Sequence, residues 1–587
     1  MQQSGRRDNG VVSFAPCGCV LLALLWFIAG TAAVAAPVSL TQLRTLRDEA
    51  KNRQRRLIYN NDGDDVKLGW DGPATREKLL SIRTAPLAGT QVDSYWYSTG
   101  GISFDQFRHK TEKGIVFERR NHWPHNKIAE FIDQGTDALH IMVDFCRENN
   151  MEVFWSYRMN DTHDAGYYKR RVSQGRDPIL ISPWKLDHPE YLVGSLEKEP
   201  PYGRWSSVDY SHQAVRGRAF SLIEEVCAKY DVDGIELDFF RHPCFFKSVA
   251  WGDRAGPDER AAMTSLMQRI REMTETVGMQ RGKPILVAIR VPDSVPFCRA
   301  IGLDLEAWLR QGLVDLMVTT GYFRLNPWQY SVALGHKYGA KVYACLSEVR
   351  PSSDAPQYNS QYRNSPQGYR ARAMRAWDAG VDGMYLFNWW SKRKTDSPLL
   401  NELGSLDTLR TKDKAYLKMY RNLERMSVWV TDAATFANRN DLLGPGHGRS
   451  VAPGASTTIA LEINDPVDAI RADSQCTMRA TLRLWVEKAA AVNQLSVALA
   501  GRKLQVASEV YPSWRLYWNE NAKWKKRRRE QLGEKGFAST DGWYEFTVPP
   551  TLLEPGENAF VIAVAEEAPV PVKIGDLVLW LDYQEDR

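Results

Sequence analysis

Short apolar runs alternate with longer segments of helical periodicity between residues 56 and 425. Apolar residues that recur every three or four positions are typical of amphipathic helices, whereas short apolar runs bounded by turn residues are typical of buried strands. Helices are predicted at 39–51, 133–149, 220–230 and 259–278, among others. Eight strands are predicted at 56–60, 91–97, 151–160, the run Ile235–Phe239, 284–290, 314–320, 340–347 and 381–388. This alternation predicts a (β/α)8 TIM barrel of the α/β class.

The extra length of the predicted barrel lies in three strand-to-helix connections. These connections follow strands two, three and seven, at about 98–126, 159–210 and 349–367, while the helix-to-strand returns are short. In this fold the strand-to-helix loops surround the active face. We therefore expect the functional site at that mouth of the barrel.

The pattern changes after residue 425. Apolar and polar residues alternate there in runs separated by Gly and Pro, which is typical of half-buried strands. These runs are 457–463, 480–486, 494–499, 543–548, 559–564 and 576–582. They predict an antiparallel, jelly-roll-like β-sandwich. The chain would thus consist of a barrel at 36–425 and an accessory domain at 426–587.

The first 35 residues fit a secretory signal peptide. Arg6 and Arg7 precede the apolar run Val20–Ala29, and Ala33–Ala35 supplies small residues for cleavage. The apolar run is too short for a permanent anchor, so no stable membrane anchor is expected. We expect a secreted or periplasmic protein.

Composition and charge exclude several classes of function. The chain has 587 residues, 43% of them hydrophobic, and a net charge of only +5, which disfavours nucleic-acid binding. Its cysteines show no CxxC spacing, so we expect no metal site and no cofactor. An oxidising compartment would permit a bridge between Cys244 and Cys298; the alternative is two buried thiols. The basic run Lys523–Glu530 could bind an anionic glycan or form a solvated loop.

Predicted strand four carries two carboxylates. Successive side chains of a strand alternate between faces, so Glu236 and Asp238 share one face. Buried carboxylates are costly unless they are paired or used in chemistry. Glycosidic cleavage uses two carboxyl groups. We predict that Asp238, at the strand's C-terminal edge, is the nucleophile or base. The deeper Glu236 would orient Asp238 or pair with Arg290. The alternative for Asp238 is an ion pair with Arg241.

The second catalytic carboxylate is predicted at Glu348, which follows strand seven across the mouth from strand four. Glu348 would be the proton donor; its alternative is an ordinary solvated loop acid. Asp293 after strand five and Asp161 after strand three are further candidates.

Other polar and aromatic side chains follow the predicted strands and would bind substrate. Amide and guanidinium groups bind sugar hydroxyls or carboxylates, and aromatic faces stack on sugar rings. Arginines near one mouth also point to an anionic sugar. The predicted substrate-binding residues are Arg158, Asn160, His163, Arg241, His242, Arg290, Asp293, Tyr322, Asn388, Trp389 and Trp390.

Two blocks, Val208–Arg218 and Tyr230–Pro243, resemble the bacterial glycosyl-hydrolase-like 10 family. Its members are barrel proteins whose strand four is similar to Asp231–Pro243, and the resemblance extends over about 56–420. It implies polysaccharide hydrolysis and a C-terminal domain that could bind carbohydrate. The same strand is also distantly similar to the strand-four motif of α-amylases, which implies that Asp238 is a nucleophile. The arginine of that motif is replaced by Glu236.

The sequence therefore predicts a secreted glycoside hydrolase with a two-carboxylate mechanism. One alternative is a catalytically silent, glycan-binding barrel, which would bind glycans without cleaving them. Another is a metal-assisted hydrolase or deacetylase that uses Asp161, His163, Asp238 and His242, and that a chelator would inactivate.

Overall fold

The computed structural model describes residues 36–118, 123–166, 181–346, 365–387, 389, 397–418, 424–436, 443, 448–472, 476–487, 494–510 and 542–585. Eight parallel strands form a closed barrel: β1 Leu57–Asn61, β2 Val92–Tyr97, β3 Glu152–Arg158, β4 Gly234–Asp238, β5 Leu286–Val291, β6 Leu316–Thr319, β7 Lys341–Cys345 and β8 Gly383–Leu386. Around the barrel their order is β1-β8-β7-β6-β5-β4-β3-β2. The predicted barrel is confirmed, with each strand at its predicted place.

Helices surround the barrel. Their bounds are Leu40–Asn52, Asp64–Leu68, Arg76–Arg83, Ile128–Asp133, Ala138–Glu148, Pro183–Asp187, Gln213–Lys229, Lys247–Ala250, Pro257–Arg281, Val295–Ala300, Leu305–Arg310, Trp328–Lys337, Pro366–Asp378 and Leu406–Leu409. Single 3-10 turns occur at Ala85–Leu87, Pro189–Tyr191 and Pro398–Asn401. A two-stranded parallel ribbon, Gln106–Phe107 with Ile115–Val116, lies in the connection after β2.

Local side chains fix where the helices begin and end. The predicted helix 133–149 begins only at Ala138, which is a correction to the sequence prediction. The preceding helix ends at Asp133, and Gly135 follows it with φ of 81°, a left-handed conformation. The side chain of Asp137 then accepts the His140 N–H and starts the second helix.

The inside of the barrel is packed with side chains from its strands. The buried interior includes Trp96, Phe154, Leu316, Tyr343 and Tyr385. In the strand register Asp238 lies beside Arg158 on β3 and Arg290 on β5. The register therefore brings one carboxylate and two arginines together at the C-terminal end of the barrel.

The C-terminal region is a β-sandwich of two antiparallel sheets. One sheet has the order Lys414–Leu417, Val572–Glu585, Cys476–Glu487, Gly542–Val548 and Gln505–Val510, with Arg449–Val451 also paired to Val572–Glu585. The other has the order Ser456–Ile463, Gly556–Val564, Leu495–Leu499 and Arg502–Lys503. A helix, Val467–Ala472, and a 3-10 turn, Pro550–Leu552, connect strands. Residues of both sheets, including Leu461, Leu484, Phe560 and Leu579, share one buried core.

The chain crosses between the barrel and the sandwich more than once around residue 425. Lys414–Leu417 precedes that residue and yet pairs with Val572–Glu585 of the sandwich. The segment Glu424–Phe436, with a helix at Glu424–Ser427 and a 3-10 turn at Ala433–Phe436, follows. Its residues Met426 and Val430 are buried in the barrel core. The chain thus enters the sandwich sheet and returns to the barrel before it forms the rest of the sandwich.

Two further sequence predictions concern the membrane and the cysteines. Within the described ranges, no helix is long and apolar enough to cross a membrane. Cys244 and Cys298 are both buried free thiols, so the bridge between them is not formed. Cys298 Sγ donates to the Pro292 carbonyl at 3.3 Å. The predicted leader and the basic run Lys523–Glu530 lie outside the described residues.

Candidate active site

Asp238 ends β4, and its carboxylate accepts four hydrogen bonds. Its Oδ1 atom accepts the main-chain N–H groups of Phe240 at 3.0 Å and Arg241 at 2.9 Å. Arg290 donates Nε to Oδ1 at 3.0 Å and Nη2 to Oδ2. A carboxylate offers about four lone pairs. Since three of these four bonds fall on Oδ1, Oδ2 keeps room for one further contact.

Arg290, and not the alternative partner Arg241, forms the ion pair with Asp238. The guanidinium is fully buried and its central carbon lies 3.8 Å from the centre of the Phe387 ring. Arg290 Nε also lies 3.9 Å from Glu236 Oε1. One guanidinium therefore contacts both strand-four acids, as the sequence predicted for Glu236.

Glu236 lies one pleat deeper than Asp238 and is fully buried. Its carboxyl accepts the Tyr385 hydroxyl at 2.7 Å and the Asn60 amide at 3.5 Å. Burial raises the pKa of Glu236 to about 7, with the nearby Asp238 carboxylate adding to the shift and Arg290 opposing it. A large share of Glu236 is therefore protonated at neutral pH, whereas an ordinary glutamic acid is ionised there.

A chain of contacts beside Asp238 joins Arg158 at the end of β3, Asp161 and His163 after that strand, and Arg241 after β4. Arg158 Nη1 donates to Asp161 Oδ2 at 2.9 Å. The other oxygen of Asp161 contacts His163 Nδ1, and His163 Nε2 lies 2.9 Å from Arg241 Nη2. Because a guanidinium can only donate, His163 Nε2 accepts and the ring proton lies on Nδ1. Burial lowers the pKa of His163 to about 4, so this imidazole is neutral at pH 7.

His242 lies against the same chain of contacts. Its Nδ1 atom accepts the Thr162 main-chain N–H at 3.1 Å, and its ring centre lies 4.7 Å from that of His163. Burial, with His163 and nearby arginines, holds the pKa of His242 well below its usual range. His242 has φ of 57°, an uncommon conformation for a residue with a side chain.

The cluster Asp161, His163 and His242 has the residue types of a metal site, and one ligand atom of each lies within 4.8 Å of the others. The nitrogen lone pairs of both histidines are already used, however. Arg241 donates to His163 Nε2 and Thr162 donates to His242 Nδ1. A cation would have to displace these donors and approach two guanidinium groups, those of Arg241 and Arg158. The contacts therefore do not fit a metal ion.

Two predicted site residues hold loops together. Asn160 donates to the carbonyls of Val208 and Cys244 and accepts the Val208 N–H at 3.1 Å. Asp293 accepts the main-chain N–H groups of Leu325 and Asn326 at 2.9 Å. Burial raises the pKa of Asp293 to about 6. Both side chains position the loops around the mouth.

The aromatic residues predicted to bind substrate have different surroundings. Tyr322 lies at the mouth, with the guanidinium carbon of Arg241 5.3 Å from its ring centre. Trp389 is buried, and its ring centre lies 4.6 Å from that of Tyr369. Glu348, Asn388 and Trp390 lie outside the described residues, so their predicted roles stay predictions.

Sequence reasoning assigned no role to the acidic residues between the end of β1 and the first turn of the next helix, Asp62–Asp65. Arg83 Nη1 contacts Asp62 at 2.6 Å, and Arg108 Nη2 contacts Asp64 at 2.8 Å. Gly63 has φ of 67° there, and a Cβ atom would approach the Ser98 carbonyl to 2.2 Å. The three aspartates that follow a predicted strand were the available signal. Their partners come from other elements, which pattern alone does not identify.

Comparisons with known proteins give weak overall likenesses. No family model matches the sequence, and no curated protein matches it. The resemblance to the glycosyl-hydrolase-like 10 family therefore stays a prediction.

Several solved structures are similar to this chain at low identity. The glycoside hydrolase domain of PgaB (BpsB) from Bordetella bronchiseptica is 11% identical, with a TM-score of 0.37 over 60% of this chain and 99% of that one. A glycoside hydrolase family 18 N-acetylglucosaminidase from Paenibacillus barengoltzii is 13% identical, with a TM-score of 0.32 over 61% and 99%. A cycloisomaltooligosaccharide glucanotransferase from Paenibacillus sp. is 9% identical, with a TM-score of 0.32 over 90% of this chain and only 57% of that chain. At such low identity the function has to be argued from the site.

Proposed function

We propose that the protein hydrolyses glycosidic bonds of an oligosaccharide or polysaccharide and that Asp238 of β4 is one of its catalytic carboxylates. The observation that carries this proposal is the pair Asp238 and Glu236 at the C-terminal end of the barrel, both in contact with Arg290. In this fold active sites are built at that end. A buried carboxyl group with a pKa shifted toward neutrality, as in Glu236, is common at catalytic sites.

In the proposed mechanism Asp238 is the nucleophile or base. Arg290 and two main-chain N–H groups fix the orientation of its carboxylate, and Oδ2 keeps a lone pair for the substrate or a water. Glu348 remains our proposed proton donor. Glu236 is a positioning residue, because it lies below Asp238 and acts on it through Arg290.

The metal-assisted hydrolase and the silent glycan-binding barrel each predict a different experimental result. The metal-assisted alternative requires that Arg241 leave His163, and the silent-barrel alternative requires binding without cleavage. The test is a screen of neutral and acidic polysaccharides for new reducing ends. We expect the protein to release reducing ends from at least one of them, at equal rates with and without EDTA. Inactivation by EDTA would favour the metal-assisted alternative. Measurable glycan binding with no new reducing ends would favour the silent barrel.

A further inference from the structure

Arg241 has an unusual set of contacts for a buried arginine. Only 8% of its surface is exposed, and its Nη2 atom meets the neutral ring of His163 at 2.9 Å. Its other side-chain nitrogens, Nε and Nη1, are buried and have no hydrogen-bond partner within the described part of the chain. A buried donor that lacks a partner costs free energy, so such a group indicates a ligand or a strained site.

Arg241 differs from two neighbouring arginines in its charge environment, because the carboxylates of Asp161 and Asp238 act on it from beyond ion-pair distance. Arg158 is paired with Asp161, and Arg290 is paired with Asp238. Among the described residues no carboxylate forms an ion pair with Arg241. Burial, together with the nearby charge of Arg158, lowers the pKa of Arg241 to about 9. A buried unpaired charge is expensive, and an anion brought by a ligand would offset that cost.

The neighbours of Arg241 fit a sugar. Its guanidinium carbon lies 5.3 Å from the centre of the Tyr322 ring and 5.7 Å from that of Phe387. Arg290 contacts the same Phe387 ring, and its Nη1 atom is buried without a hydrogen-bond partner among the described residues. Both arginines follow or end barrel strands at the mouth that holds Asp238. Aromatic faces bind sugar rings, and guanidinium groups bind carboxylate or sulfate oxygens.

We propose that Arg241 binds the anionic group of an acidic sugar, a carboxylate or a sulfate, within a glycan held at the barrel mouth. This inference rests on the proposed function, because it names the class of glycan that the same site accepts. Arg241 is a specificity-determining residue in this account, and Arg290 keeps its role of orienting Asp238.

The test compares the binding of matched acidic and neutral glycans by calorimetry. The probes are oligogalacturonate and oligoalginate with their carboxyl-reduced forms, and chondroitin sulfate oligosaccharides with their desulfated forms. We expect the wild type to bind at least one acidic probe about tenfold to a hundredfold more tightly than its neutral form, as one charge-assisted contact would give. In Arg241→Gln this preference should disappear while binding of the neutral form is kept. The carboxylate and sulfate arms identify which anion is recognised.

Two further variants keep the test decisive. Arg299→Gln removes an exposed arginine on the helix Val295–Ala300 and should keep the preference. Arg241→Lys keeps the charge and should retain part of the preference. Thermal unfolding of each variant shows that it is folded at the assay temperature.

The outcomes separate this inference from the proposed function. A preference for acidic probes that persists in Arg241→Gln, or a wild type that binds neutral and acidic forms equally, would overturn the inference. Cleavage of a neutral glycan without any acidic preference would leave the proposed function intact. A preference for acidic probes that depends on Arg241, without cleavage of any glycan, would support the inference and contradict the proposed function. Binding of no glycan at all would overturn both.

Discussion

At the scale of single residues, the two acids of β4 differ: the orientation of the Asp238 carboxylate is fixed by hydrogen bonds, and the Glu236 carboxyl group is protonated to a large extent at neutral pH. Asp238 accepts four hydrogen bonds, two of them from Arg290, and is therefore held in one orientation. Glu236 is buried below it and has a pKa of about 7. One carboxyl group is thus prepared to contact substrate and the other to hold a proton.

The raised pKa of Glu236 predicts a particular dependence of stability on pH. An unfolded glutamate loses its proton near pH 4.3, whereas the folded protein keeps the proton on Glu236 until about pH 7. Between these values the folded state binds more protons, so this group lowers stability as pH rises, by up to about 1.4 kcal/mol per pH unit. We expect Glu236→Gln to gain stability relative to the wild type from pH 5 to pH 7 and no more above that. The difference in thermal midpoint at each pH measures this gain.

The exposed Glu77, replaced by Gln, controls for the loss of a carboxylate as such. A midpoint difference between Glu236→Gln and the wild type that is constant with pH, or that moves the other way, would show that Glu236 is not a buried acid of raised pKa.

At the scale of elements, the segment Glu424–Phe436 is part of the barrel although it follows a strand of the sandwich. The Gly203 N–H donates to the Val428 carbonyl at 2.7 Å. The Trp429 ring centre lies 5.7 Å from that of His242, a residue of the mouth. This segment therefore packs against the loop after β4, which also carries Arg241.

Two valines in this segment provide a matched pair of variants. Val430 is fully buried in the barrel core, and Val428 is 47% exposed. Val430→Ala removes buried methyl groups and leaves a cavity, so we expect a loss of about 1–3 kcal/mol. Val428→Ala should change stability by about 0.5 kcal/mol or less. Denaturant unfolding measures both, and equal effects of the two substitutions would contradict this packing.

Local patterns were sufficient to predict elements but not their partners. The eight barrel strands are short apolar runs between turn residues, so periodicity identified each of them. Lys414–Leu417 is a four-residue strand, too short for a clear alternation, and its pairing with Val572–Glu585 joins distant parts of the chain. The helix Ala138–Glu148 was predicted to begin five residues too early, although Gly135 and the capping residue Asp137 were available signals for its start.

At the scale of the whole molecule, the barrel topology decides which side chains meet at the mouth. The sequence placed Arg158, Asp238 and Arg290 at strand ends, and the parallel register brings them side by side. The sequence could not predict that Arg290 rather than Arg241 pairs with Asp238, because the choice depends on side-chain direction. It also could not predict that Asn160 and Asp293 hold loops, because their partners lie in irregular chain.

The central claim is that the Asp238 carboxylate takes part in cleavage, and one kinetic comparison tests it most directly. On the glycan that yields reducing ends, kcat is measured for the wild type, for Asp238→Asn and for Asp253→Asn, an exposed aspartate in the connection after β4. Thermal unfolding shows that each variant is folded during the assay. We predict that Asp238→Asn lowers kcat at least about a thousandfold, with glycan binding kept, and that Asp253→Asn has no effect. Activity of folded Asp238→Asn within about tenfold of the wild type would contradict the account.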